Sequence, residues 1–305
     1  MRMIKDIIET NPPGRRSIRL LQLLGCTALL VLAACGGDRE TVPQQTQTDD
    51  QAVMQQNEKA TRLLQIGNNL RAKGDLNGAA ELYRRAMRAD PDSPLPPAVL
   101  GDTLRHLEQY RDAEEIYHRT LAKHPYSGLA LQGYGILLIE TGQPDAAVTL
   151  LVPAVDEDLA DYRVFNVLGI AYDALGDHTE AQNQYLAGLG MAPGNRSLGN
   201  NIAISLALQE RYEAAVSQIE DLLTGTATDE PFLHNLALIY GLGGKIGEAG
   251  KILRELMPEA DVVNNLAYYQ NLRSMHADDR RKAILGIVLD SIYLNFNNFV
   301  DGNGA

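Results

Sequence analysis

The sequence predicts an all-α solenoid of stacked helix hairpins, closed by a C-terminal capping helix. Three observations carry that expectation. Small residues recur at a step of 34 residues without insertion, as Ala79, Ala113, Ala147, Ala181, Ala215 and Ala249. A second small-residue line precedes it, as Gly67, Gly101, Gly135, Gly169, Ala203 and Ala237. A third line follows it with large residues, as Tyr83, Tyr117, Leu151, Tyr185, Ile219 and Leu253. Chance does not hold three lines in register over six copies.

The stretch from Tyr162 to Asn195 shows the unit most clearly. Phe165, Leu168 and Tyr172 form an apolar stripe at helical period. Gly169 sits inside that helix, where a side chain would block a neighbour. Gly176-Asp177 breaks the pattern and starts a turn. Ala181, Tyr185 and Leu189 share one face of a second helix, which Pro193 ends. Further closing prolines stand at Pro91 and Pro125, while Glu108 and Glu210 replace the turn glycine. A 34-residue helix–turn–helix unit resembles the tetratricopeptide repeat. The resemblance covers residues 58–263, as six repeats starting near 60, 94, 128, 162, 196 and 230. It implies a right-handed superhelical solenoid in which each repeat packs only on its neighbours.

The first 34 residues stand apart from the array. Arg15, Arg16 and Arg19 precede an apolar run from Leu20 to Ala34, the layout of a secretory signal. The run ends Leu32-Ala33-Ala34-Cys35-Gly36. That ending resembles the lipobox of bacterial lipoproteins and implies cleavage before Cys35 and acylation of its thiol. Several acyl chains, at ~0.8 kcal/mol per buried methylene, make a stable membrane anchor. Gly36 in place of an aspartate resembles the class retained at the outer membrane, facing the periplasm. Residues 35–57 are then the lipidated cysteine and a flexible tether, too poor in large apolar residues to fold. About 20 such residues span roughly 25 Å.

After the sixth repeat, residues 264–299 read as an incomplete seventh unit and a final helix from Asp279 to Phe296, N-capped by Asp278. Leu285, Val288, Leu289, Ile292 and Phe296 make its core-facing stripe, expected to cover the last repeat. Residues 300–305 read as a loose tail.

Charge and composition narrow the function. The net charge is −12, and −15 once the excess of three positive charges in residues 1–34 is set aside. Nucleic acid is excluded as a partner, because phosphates demand a basic face. Cys26 and Cys35 are the only cysteines, so the body has neither a disulfide framework nor a cysteine metal site. Gly241-Leu242-Gly243-Gly244-Lys245 fails as a phosphate loop. The glycine required five residues before Gly244 is Ile239, and Ile246 follows the lysine. The six histidines never pair at helical spacing, and no G-x-S-x-G elbow occurs. The expectation is a protein without cofactor, metal or catalytic residues.

In the family, the first helices line a concave groove with positions two, five and nine of each repeat. Carried onto this sequence, position five of repeats three to six is Gln132, Asn166, Asn200 and His234. Position nine is Ile136, Ile170, Ile204 and Leu238. The resemblance thus implies one wall of mostly amide side chains and one of aliphatic side chains, receiving a protein partner. The competing reading of the aliphatic line is packing between adjacent first helices. Repeats one and two offer Leu64, Asn68, Ala98 and Asp102, which lack the lysine clamp that a carboxylate-terminal tail requires.

A lipobox, a short polar tether and six repeats resemble two groups of tetratricopeptide lipoproteins. One is the TadD group of Flp (Tad) pilus assembly, and the other is the type IV pilus pilotins. The resemblance implies a partner among pilus components, an outer-membrane secretin included. The alternative is an envelope scaffold for peptidoglycan enzymes or outer-membrane protein insertion.

Overall fold

The computed structural model describes residues 45–300 apart from 158, 227 and 228, with side chains described over 54–289. Cys35 and the expected signal lie outside the described residues, as do residues 36–44 and 301–305. Fourteen helices and no strand occur among those described. Helix α1 (Gln45–Ala72) is followed by α2 (Leu76–Ala89), α3 (Leu95–His106), α4 (Tyr110–Lys123), α5 (Gly128–Glu140), α6 (Pro144–Asp156) and α7 (Tyr162–Leu175). The chain continues through α8 (His178–Met191), α9 (Arg196–Leu208), α10 (Tyr212–Glu220), α11 (Glu230–Leu242), α12 (Ile246–Leu256), α13 (Glu259–Ser274) and α14 (Ala277–Val300). The odd-numbered helices to α11 are the first helices of six hairpins, and the even-numbered helices to α12 are the second. The result is a right-handed superhelical array of helix hairpins, with residues from Val53 onward making one compact unit.

The periodic lines are the contacts that build each hairpin. All six alanines of the 34-residue line are fully buried. The line preceding them explains itself by volume. A Cβ added at Gly67, Gly101 or Gly169 would stand 2.6, 2.7 or 2.4 Å from the ring of Tyr83, Tyr117 or Tyr185. Glycine stands against tyrosine in repeats one, two and four and alanine against the smaller Ile219 and Leu253, while Gly135 is crowded by Val167 and Leu151. Every inter-helix turn carries a left-handed residue at the same step: Gly74, Glu108, Gly142, Gly176, Glu210 and Gly244. Glu108 (φ 58°) and Glu210 (φ 59°) adopt the conformation the glycines adopt, against the cost that a Cβ imposes there. Asp75, Asp161, Asp177 and Asn195 accept backbone N–H groups at the starts of α2, α7, α8 and α9.

Three expectations are corrected at the ends of the array. Residues 45–57, read as tether, belong to α1. Their Gln, Met and Ala content favours helix, and the buried face that starts at Ala60 and Leu63 supplies the nucleus from which the helix extends. Helix α13 starts at Glu259 rather than 264, since only Met257 and Pro258 separate it from α12. Helix α14 starts at Ala277, which places Asp278 in its first turn, paired with Arg281 at 2.9 Å, instead of at the cap.

The final helix also lies elsewhere than expected. It packs on α5 and α7, the first helices of repeats three and four, as well as on α13. Ile284, Leu285, Val288 and Leu289 are buried there. Ile292 and Phe296 lie outside the residues whose side chains are described.

Candidate protein-binding surface

The first helices stand side by side, α3 on α5, α5 on α7, α7 on α9 and α9 on α11. This close row decides the fate of the expected groove residues. Ile136, Ile170, Ile204 and Leu238 are buried between neighbouring helices, so the aliphatic line is packing and not an open wall. Gln132, Asn166 and Asn200 are buried as well. Of the eight residues placed in the groove, only His234 is partly open, 3.9 Å from Glu230.

The amide line is a ladder within the array. Asn201 donates from Nδ2 to Oδ1 of Asn166 at 2.8 Å, and Asn235 donates to Asn200 in the same way at 2.8 Å. Position six of repeats five and six thereby satisfies position five of the repeat before it. The rung below is missing, because the residue that would serve Gln132 is Val167, and the Gln132 Oε1 is buried without a hydrogen bond. Buried amides are tolerated when they pair, and each pair fixes the register between two repeats.

Two buried polar clusters were not foreseen. In the first, Arg71, Asp102, Arg105 and Glu140 alternate in sign across repeats one to three. Asp102 meets Arg71 at 3.3 Å and Arg105 at 2.8 Å, and Arg105 also binds Glu140. Burial pushes the Asp102 carboxyl up, but Arg105 and Arg71 hold it below its ordinary value. His106 accepts from Arg105 at 2.6 Å, which requires a neutral ring at that nitrogen. Burial lowers its pKa to about 4, Asp102 opposing and Arg105 and Arg71 assisting. The only advance sign of this cluster was a charged residue, Asp102, at position nine.

In the second cluster, Asp173 accepts from Tyr185 (2.8 Å) and Ser205 (2.8 Å) and contacts Nδ1 of His178 (2.7 Å). Burial raises the Asp173 pKa against these hydrogen bonds. An acid, a histidine and a serine meet here, but in the wrong order for nucleophilic chemistry. Ser205 gives its one hydroxyl proton to the carboxylate at 2.8 Å, and that hydroxyl is buried. The cluster ties α7, α8 and α9 together. Among the described residues no group of His, Cys, Asp and Glu has the makings of a metal site, and no helix is long and apolar enough to cross a membrane.

Helix α14 crosses the C-terminal ends of the first helices, with Arg280 on Glu210 and Arg281 against Gly176. Beside it opens a cleft of about 660 Å³, lined by Arg105, His106, Glu108, Tyr110 and, from α14, Lys282 and Leu285.

Stacked hairpins of this kind define a helical repeat scaffold for protein interactions. Tetratricopeptide repeat models match residues 70–125, 104–169 and 166–231. Together they span more than half of the chain, which belongs to the tetratricopeptide repeat family. Its fold is that of PilF from Pseudomonas aeruginosa (TM-score 0.51, 21% identity, 70% of this chain and 98% of that one). It is also that of PilW, described as a widely conserved type IV pilus biogenesis factor (TM-score 0.55, 17% identity, 68% and 98%). A tetratricopeptide repeat protein from Parabacteroides merdae is similar over 81% of this chain and 98% of its own (TM-score 0.52, 18% identity). A stretch of 125 residues, 38% of this chain, is 32% identical to cellulose synthase operon protein C of Pseudomonas fluorescens, of which it spans only 10%.

Proposed function

We propose that this protein is a lipid-anchored, non-catalytic scaffold of the bacterial cell envelope. It is held at the outer membrane through Cys35 and presents its array to the periplasm, where it assists assembly of a Flp (Tad) or type IV pilus. The observation that carries the reading is the order of parts: basic region, apolar run, Leu32-Ala33-Ala34-Cys35, then the repeat array. The shared fold with PilF and PilW supports it at the level of architecture. A secretin or another pilus component is the expected partner, and envelope biogenesis enzymes are the alternative.

The anchor is tested by feeding cells an alkyne-bearing fatty acid. Native protein should take up the label and Cys35→Ala should not, and label persisting on the variant would refute the anchor. Deleting the protein should deplete secretin multimers from the outer membrane, and unchanged multimers would direct the search to the alternative.

A further inference from the structure

We propose that the face formed by the hairpin turns and first-helix ends of repeats two to five is a groove for an amphipathic helix with basic residues near its start. Helix α14 is its resident occupant, which a partner helix of the same chemistry displaces. The proposal rests on the reading of the array as a protein-binding scaffold and adds the class of its ligand.

The chemistry is read from α14 itself. Its cations, with Arg273 of α13 before them, descend the array turn by turn. Arg273, at the end of α13, lies against Gly244, where an added Cβ would come within 3.0 Å of its guanidinium. Arg280 pairs with Glu210 at 2.5 Å, one repeat earlier. Arg281 lies against Gly176, one repeat earlier again. Lys282 joins Glu108 in lining the cleft of repeats two and three. Each of these turns follows the C-terminus of a first helix, where unpaired carbonyls and the macrodipole favour a cation. After the cations, Ile284, Leu285, Val288 and Leu289 turn one apolar face to the array. This is helix-in-groove recognition, built within one chain.

Two further observations point to a displaceable occupant. Helix α14 joins the array through the short link Met275–His276 and contributes to none of the six hairpins. The groove also offers more than α14 uses. Glu108 occupies the same left-handed turn position as Glu210, yet makes no ion pair among the described residues, and the cleft beside it stays open. A helix with one more cation would fill a place that α14 leaves vacant.

The probe is a fluorescent synthetic peptide of residues 277–300, titrated into the full-length chain. In native protein α14 competes at a high effective concentration, so apparent affinity is reduced by the small fraction of open groove. Leu285→Asp with Leu289→Asp places carboxylates on the apolar face of α14 and leaves the groove intact. Hydrogen exchange should then show loss of protection in residues 277–289 with the repeats unchanged. The peptide should bind this variant at least about tenfold more tightly than native protein. Adding Glu210→Arg should reverse that gain. Equal binding to native and released chains, or no binding to a folded released chain, would overturn the proposal. Should the first variant fail to fold, Arg280→Glu with Arg281→Glu releases α14 without touching its apolar face, and the same two outcomes decide. The measurement uses neither membranes nor pilus components, so its failure is separable from failure of the anchoring assay.

Discussion

The pairing of glycine with tyrosine in repeats one, two and four makes a prediction whose sign depends on background. Gly169 lies on α7 directly under the ring of Tyr185. A Cβ there would stand 2.4, 2.7 and 2.8 Å from Cε1, Cδ1 and Cζ of that ring. The ring cannot retreat freely, because it is buried and its hydroxyl is held by Asp173 at 2.8 Å. Overpacking of this kind costs ~1–3 kcal/mol. Replacing a mid-helix glycine by alanine returns ~1 kcal/mol of propensity. Gly169→Ala should therefore destabilise by ~0–2 kcal/mol in the native background. Tyr185→Ile alone should cost ~3–5 kcal/mol, through lost burial and the orphaned Asp173 hydrogen bond. Joined, the two substitutions recreate the Ala203–Ile219 pairing of the next repeat. The clash is then gone and the propensity gain remains. Gly169→Ala should therefore stabilise the Tyr185→Ile chain by ~1 kcal/mol. Urea denaturation of the native protein, both single variants and the double variant closes the cycle. Coupling should be ~1–3 kcal/mol, and additivity within ~0.5 kcal/mol would refute the volume argument.

Other expectations test separate links. Ala181→Leu should lower stability by ~1–3 kcal/mol, because the site is fully buried between the helices of repeat four. An unchanged melting temperature would mean the register is wrong. His106, with its pKa lowered to about 4 from 6.5, binds a proton less readily folded than unfolded. Its contribution is thus complete above pH 6.5 and lost as pH falls toward 4, and the acid slope of stability should flatten in His106→Gln. Glu108→Gly should stabilise by ~1 kcal/mol by relieving the left-handed turn. Glu210→Gly should gain less, since it also loses Arg280; thermal midpoints compare the two.

What could be read from the sequence was what repeats from unit to unit. The alanine and glycine lines were legible because each makes the same short-range contact in every hairpin, so six copies of one constraint stand in register. The burial of Asn166 and Asn200 was not, and for the aliphatic line the sequence left groove and packing both open. Burial here depends on how closely successive first helices approach, and amides at position six, Asn201 and Asn235, close the gap in two places only. Asp102 read as a failed clamp position because its partners Arg71, Arg105 and Glu140 come from three repeats. The tether was misjudged past Gln45 because polarity was taken as disorder, whereas a helix already nucleated by a buried turn continues through any helix-favouring sequence. The return of α14 onto α5 and α7 is a contact over more than 100 residues of chain, invisible to any local pattern.

That return leaves the question of what closes the array, since an uncapped last repeat would expose an apolar face. The exposure pattern of α13 answers it. Val262, Tyr269 and Leu272 face inward and are buried, with the Tyr269 ring against Gly241 in the manner of the tyrosines of earlier repeats. The other side presents Asn264, Gln270 and Asn271 to solvent, interrupted by Val263 and Tyr268. A helix apolar on one face and amide-rich on the other is what a terminal cap requires. Had α14 been the cap, Val263 and Tyr268 would lie beneath it; instead both are exposed. The closing role and the apolar stripe, which the sequence pattern assigned together to one helix, are thus divided between two. Helix α13 ends the stack, and α14 is free of that duty. Its buried face packs on α5 and α7 as well as on α13, so its release would uncover the proposed groove while α13 still ends the stack.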